Sequence, residues 1–212
     1  MITIALPTGA LLEGSLDLLR RAGVADLTPK SVGRRLLLEQ GSLRVVLVKP
    51  ADVAAYVDFG AADLGIVGKD VLWESQGSHY ELADLVFGGC ALVVAVGESS
   101  PLGDPRTWPP QLRVATKYPM AAATFMAQLG LNVDIIKLHG SVELAPAVRL
   151  ADAIVDLTAT GTTIRENRLR IVGVIAQSTA RLIVNQASLK TLGSGLQDLV
   201  AALKEAVIPN AD

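Results

Sequence analysis

The sequence predicts an α/β fold of two lobes, each a mostly parallel sheet flanked by helices. Strand and helix alternate from Ile2 to about residue 75. A turn-rich stretch, residues 97–110, breaks the alternation with Pro101, Gly103, Pro105, Pro109 and Pro110. A second alternating series then runs to about residue 176. Such alternation places parallel strands in the middle of a sheet and helices on its faces.

Ile2–Leu6 is an apolar strand closed by Pro7-Thr8-Gly9-Ala10, and Leu11–Ala22 repeats leucine near helical spacing before Gly23 stops it. Arg34-Arg35 lead into the run Leu36-Leu37-Leu38. Val45–Val48 forms a strand between Arg44 and Lys49, Ala51–Phe59 a short helix, and Asp63–Asp70 a strand entering a glycine turn. Leu82–Val86 and Ala91–Val96 are further strands. In the second series Leu112–Ala115, Val133–Lys137 and Ile171–Ala176 are strands, with helices over Pro119–Leu129 and Val142–Leu150. Helices over Ala180–Leu189 and Ser194–Ala206 have no strand of their own and are expected to return to the first lobe. That gives lobe I as residues 1–89 plus 179–212 and lobe II as 90–178.

Composition narrows the function. Half of the 212 residues are hydrophobic, enough for real cores. A net charge of −2 provides no general basic field for nucleic acid. No run has the length of a membrane span, the N-terminus carries no cleavable signal, and the one cysteine suits a reducing compartment, so a cytoplasmic location is expected. Cys90, within an apolar run, reads as a small hydrophobe rather than a nucleophile. Two histidines, remote from each other and from Cys90, support neither a zinc site nor a Cys-His dyad. His79 reads as a surface residue of a polar connection, and no metal ligand is assigned to the protein.

The stretch from Ala153 to Asn167 is the centre of the chemistry. Ala153–Val155 is a short buried strand, Asp156 lies at its end, and Thr158, Thr160, Thr162 and Thr163 surround Gly161 before a polar helix start. Strand, hydroxyl-rich turn and helix start is an arrangement that captures a phosphate through backbone N–H groups, hydroxyls and close approach at glycine. It is equally the pattern of a capped helix, with Thr160 or Thr162 as the cap and no ligand. Other strand ends are expected at the same crevice: Thr8-Gly9, Lys49 and Gly68-Lys69-Asp70 from the first lobe; Thr116-Lys117-Tyr118 and Gly140-Ser141-Val142-Glu143 from the second. Cations, hydroxyls and glycines in that mixture suit a ligand with several phosphates. Lys49 and Lys117 taken singly also read as solvated charges at strand ends. No Walker A motif, dinucleotide fingerprint or Gly-x-Ser-x-Gly elbow occurs.

These residues resemble the short form of the ATP phosphoribosyltransferase catalytic subunit. The resemblance rests on Ile4-Ala5-Leu6-Pro7-x-Gly9, Gly60–Asp70, Ala115–Pro119, Leu138–Pro146, the threonine loop and Ser178–Asn185, in that order along almost the whole chain. It implies a two-lobed fold similar to type II periplasmic binding proteins. It also implies transfer of phosphoribosyl from phosphoribosyl pyrophosphate (PRPP) to N1 of ATP with release of pyrophosphate, the first step of histidine biosynthesis, by a Mg²⁺-dependent glycosyltransferase. By the same resemblance, Thr158, Ala159, Thr160, Gly161, Thr162 and Thr163 would hold the 5-phosphate of PRPP, and Asp156 would sit near the ribose. Lys49, Lys117 and Gly68, Lys69 and Asp70 would lie by pyrophosphate or ATP, with Gly9 and Ser141 beside them. Glu143 matches a carboxylate on the nucleotide side, and Arg34 an arginine that reaches the substrates' phosphates. Asp156, Arg34 and Lys49 form the expected catalytic set.

This chain departs from the family in the first turn, where Thr8 and Ala10 replace a basic pair, and at Lys49, where arginine is usual. With the chain ending at Asp212, the resemblance implies a separate regulatory subunit similar to a histidyl-tRNA synthetase; a mean hydropathy of +0.43 suggests a surface buried in a homo-oligomer, and charge and run length lead to no nucleic-acid or membrane partner. A different class, a non-catalytic two-lobed solute-binding or effector-sensing module, would share the fold but has no need for facing clusters of phosphate donors.

Overall fold

The computed structural model describes residues 1–207. The described residues form two compact units, 1–88 with 179–207, and Gly89–Ser178. The first unit begins with β1 (Ile2–Pro7), α1 (Leu12–Arg21), α2 (Pro29–Val32), β2 (Leu37–Gln40), β3 (Leu43–Val48), α3 (Val53–Asp58), β4 (Leu64–Gly68), α4 (Lys69–Trp73) and β5 (Tyr80–Asp84). The second holds β6 (Cys90–Gly97), β7 (Arg113–Thr116), α5 (Pro119–Gln128), β8 (Asp134–Lys137), β9 (Ala153–Thr158), α6 (Thr162–Glu166) and β10 (Leu169–Ser178). The chain then returns to the first unit as β11 (Ala180–Val184), α7 (Gln186–Thr191) and α8 (Gly193–Glu205).

Both sheets are mixed. The first runs β2-β3-β1-β4-β11-β5 and the second β10-β6-β9-β7-β8. Parallel pairing is confined to β3-β1-β4 in one and β9-β7-β8 in the other, so the expected mostly parallel sheets are corrected: the first has a parallel centre between antiparallel edges, and the second is parallel from β9 to its edge strand β8 and antiparallel on the β6-β10 side.

Leu16, Leu18 and Leu19 on the buried face of α1 pack with Ile4, Leu6, Ile66 and Leu182 in the first unit's largest core. On the other face Val53 and Val57 of α3 meet Ala5, Val67 and Ile183. A Cβ on Gly65 would lie 2.8 Å from Val57 and 2.9 Å from Val53, so α3 can close on β4 only over a glycine. Gly65→Ala is expected to lower stability by about 1–3 kcal/mol, because branched valines cannot swing aside; a urea melt checks it.

Two predicted helices are corrected. Ala180–Val184 is a strand, fully enclosed between β4 and β5 with Leu182, Ile183 and Val184 buried. Only Gln186–Thr191 of that stretch is helical, capped by Asn185, whose Oδ1 accepts from the N–H groups of Ala187 and Ser188 at 2.9 Å. Val142–Leu150 forms a 3₁₀ turn at Val142–Leu144 followed by turns, since Pro146 cannot donate into a helical ladder. His79 is also corrected: its side chain is only 10% exposed, and the Asp58 carboxylate accepts from its backbone N–H and lies 2.9 Å from its Nδ1. Cys90 opens β6, partly exposed.

Candidate active site at the carboxyl ends of the parallel strands

Register decides which residues of each unit share an edge. In the second unit Thr116 pairs with Val155 on one side and Lys137 on the other, so β7, β8 and β9 end together. Their exits deliver Lys117, the Gly140–Glu143 turn and the threonine loop to one edge of that sheet. In the first unit Pro7 pairs with Val48, and Ala5 with Gly65, so Gly9, Lys49 and the Gly68–Asp70 turn share the corresponding edge. The Leu47 N–H donates to the Leu36 carbonyl, which carries Arg34 past the same end of β3. Arg34 and Lys49 are exposed. Lys69 instead ion-pairs with Glu81 on β5, and its backbone opens α4 rather than a glycine turn.

The threonine loop is built by its own hydroxyls. Thr158 Oγ1 accepts from the Gly161 N–H at 2.8 Å, and Thr160 Oγ1 lies 2.9 Å from Thr162 Oγ1. Gly161 itself occupies the cap position of α6 at φ +74° and no side chain caps the helix, which corrects the capped-helix alternative with Thr160 or Thr162 in that role. Buried Ile164 anchors α6 in the core formed with Ala95, Ala115 and Ile154. Thr163 and Ile164 lie in the first turn, where backbone donors have no preceding helical acceptor. Ala159, Thr160, Thr162 and Thr163 are exposed and Gly161 is buried, with the Thr162 N–H turned back to Thr160 Oγ1 at 3.4 Å.

Asp156 sits on β9 just before this loop, half-buried, its Oδ1 accepting from the Leu157 N–H at 2.9 Å. Burial raises its carboxyl above the ordinary carboxylate range; the Leu157 N–H and Lys117 oppose that rise, and Glu143 adds to it. Asp156, Lys117 and Glu143 are thus electrostatically coupled, three residues from three separate strand exits. Lys117 is presented by a turn in which buried Thr116 accepts from the Tyr118 N–H at 2.8 Å. Ser141 holds a left-handed backbone, φ +50°, at the head of the turn that aims Glu143.

One residue at this edge escaped the sequence reading. Arg165, on α6, donates to Thr162 Oγ1 at 3.4 Å, with its other guanidinium nitrogen 3.2 Å from where a Cβ on Gly161 would stand. Its spacing of three from Thr162 on a helix was the available signal. Among the described residues no group of three His, Cys, Asp or Glu side chains is gathered for a metal ion, and no helix is long and apolar enough to cross a membrane.

Known proteins resemble this chain in sequence and in fold. A sequence model of the family described as "HisG: ATP phosphoribosyltransferase" matches residues 49–205. The chain is 45% identical over 209 residues to the ATP phosphoribosyltransferase of Caldanaerobacter subterraneus subsp. tengcongensis, covering 98% of each. It is 46% identical over 217 residues to that of Bordetella avium, covering 100% of this chain and 96% of the relative. Among solved structures, a chain of the ATP phosphoribosyl transferase (HisG:HisZ) complex from Thermotoga maritima superposes with a TM-score of 0.82 at 31% identity, covering 98% of both. The periplasmic aliphatic sulphonate binding protein SsuA from Escherichia coli superposes with a TM-score of 0.62 at 15% identity, covering 97% of this chain and 68% of that one. That second likeness is one of fold: two lobes of the periplasmic-binding-protein kind, each a sheet flanked by helices. Identity at this level along nearly the full length, together with the match from Lys49 through α8, makes this chain a member of the ATP phosphoribosyltransferase family.

Proposed function

We propose that the protein transfers the phosphoribosyl group of PRPP to N1 of ATP, releasing pyrophosphate, as the first step of histidine biosynthesis. The observation that carries the reading is the common edge of β7, β8 and β9, where a hydroxyl-lined loop stands beside a carboxylate coupled to Lys117 and Glu143.

In this reading the 5-phosphate of PRPP sits on Thr158, Ala159, Thr160, Gly161, Thr162 and Thr163, accepting from exposed hydroxyls and first-turn N–H groups. Asp156 faces the ribose, where positive charge develops as the bond to pyrophosphate breaks, and its carboxylate steadies that charge. Lys117 serves the departing diphosphate. Ser141 and Glu143 serve the nucleotide, Glu143 accepting from a donor on the adenine or its ribose. In the first unit Arg34, Lys49, Gly9, Gly68 and Asp70 serve the polyphosphates; Lys69 would join them on exchanging Glu81 for substrate. Adenine N1 carries a free lone pair at neutral pH, so attack needs position rather than a strong base, consistent with a site that has no paired His or Cys.

The donor set fits Mg²⁺ as a substrate-borne ion, since a hard cation that keeps much of its water is held by phosphate oxygens and one or two carboxylates. Asp156 and Glu143 are the carboxylates this edge could lend. When bound, Mg²⁺ neutralises charge on the leaving diphosphate. We further infer a cytoplasmic location, self-association, and a histidyl-tRNA-synthetase-like regulatory subunit, supported by the pairing of two chain types named in the Thermotoga maritima complex. A pure solute-binding role rests on fold likeness alone.

Purified protein given ATP, PRPP and Mg²⁺ should form a product with the absorbance of N1-substituted adenine, with the regulatory subunit added in a parallel reaction. Folded protein that yields none in either reaction would refute the assignment.

A further inference from the structure

We propose that Arg165 is a phosphate-gripping residue of this site, a guanidinium folded over the threonine loop that hands its hydrogen bonds to the 5-phosphate when PRPP arrives. The inference rests on the reading of residues 158–163 as the phosphate loop and adds the cation which that loop lacks.

Residues 158–163 contain no ionisable side chain, so the loop offers only neutral donors to a group that is close to doubly charged at pH 7. The residues coupled to Asp156 do not make good the deficit, because two carboxylates, Asp156 and Glu143, stand against one ammonium, Lys117. A dianion entering beside that set gains from a cation on the loop's own side, and Arg165 supplies one. It lies on the helix the loop feeds, and its guanidinium already curls back toward the loop: Thr162 Oγ1 accepts from it at 3.4 Å, and a second nitrogen stands 3.2 Å from the position of a Cβ on Gly161.

Its present contact is weak, since 3.4 Å is long for a hydrogen bond between a charged donor and a hydroxyl. No carboxylate pairs with Arg165 among the described residues, so nothing need be broken for the fork to turn to an anion. The missing side chain at Gly161 leaves the space in which the guanidinium lies. A planar fork can meet two phosphate oxygens at once, which a lysine ammonium cannot do with the same geometry.

Ribose 5-phosphate is the probe, because it carries the 5-phosphate without the diphosphate. Calorimetric titration should find binding weakened roughly 10- to 100-fold in Arg165→Gln. The KM for PRPP should rise by a similar factor, kcat should fall far less, and the KM for ATP should hold. Arg165→Lys should recover part of the loss. Thr162→Val is the companion variant. If Thr162→Val loses ribose 5-phosphate while Arg165→Gln binds it like the parent, Arg165 has no such role and the loop keeps its own. If both bind it like the parent, the loop is not the phosphate site and the proposal falls with it. Arg165 is exposed, so unchanged circular dichroism in Arg165→Gln is expected and keeps the comparison clean.

Discussion

Replacing Asp156 by asparagine is expected to lower kcat/KM for PRPP on the order of 10²–10³-fold while raising thermal stability at neutral pH. The first effect follows from removing the charge set against the cation-like ribose. The second follows from burial, which pushes this carboxyl's pKa upward in spite of the Leu157 N–H and Lys117. A raised pKa means that the folded state holds the proton more tightly than the unfolded chain. Stability is therefore shed as pH climbs from the ordinary aspartate pKa of about 3.9 through the higher folded value, and the full penalty persists above it. Asparagine keeps the shape and can still accept from Leu157, but carries no charge. The melting temperatures of variant and parent should converge near pH 3.5 and separate as pH rises toward about 7, the variant ahead. A variant that lost activity and stability together at pH 7 would mark Asp156 as structural.

The second large effect is expected at Gly161. At φ +74° a β-branched residue is strained by about 1–3 kcal/mol, and its side chain would enter the space of the Arg165 guanidinium. Gly161→Val should relieve that strain by moving the loop, and a shift near 1 Å is sufficient to cost about 10²-fold in PRPP turnover. Ile164 keeps α6 docked, so the melting temperature should fall by only a few degrees. Gly161→Asn separates backbone from bulk: asparagine tolerates the left-handed region, so it should retain more activity than valine. Equal activity in both variants would mean that the cap conformation is irrelevant to the reaction.

The elements that were legible in the sequence carry their own local signal. β1, β3 and β4 are short apolar runs ended by proline or glycine turns, and the β9–α6 passage announces itself through threonines around a glycine. The misread stretches are those where distant contacts decide. Ala180–Val184 has nothing beside it in the chain to mark it as a strand; it becomes one because β4 and β5 offer open edges on either side. In Val142–Leu150 apolar spacing imitates a helix, and one proline was enough to prevent it. His79 is drawn inside by Asp58, 21 residues earlier. At the candidate site, strand-exit logic reaches Lys117, Glu143 and Asp156, and the first two bear on the carboxyl of the third in opposite directions. Arg165 was missed because it lies past the loop, and only helical geometry folds it back.

The position of β11 bears on how the chain is made. Its neighbours β4 and β5 emerge from the ribosome before Gly89, yet the strand that joins them follows Ser178. The continuous second unit can therefore fold during synthesis, while the first waits with an unzipped seam between β4 and β5. Until Val184 clears the exit tunnel, that seam is a sticky edge for chaperones or for a neighbouring nascent chain.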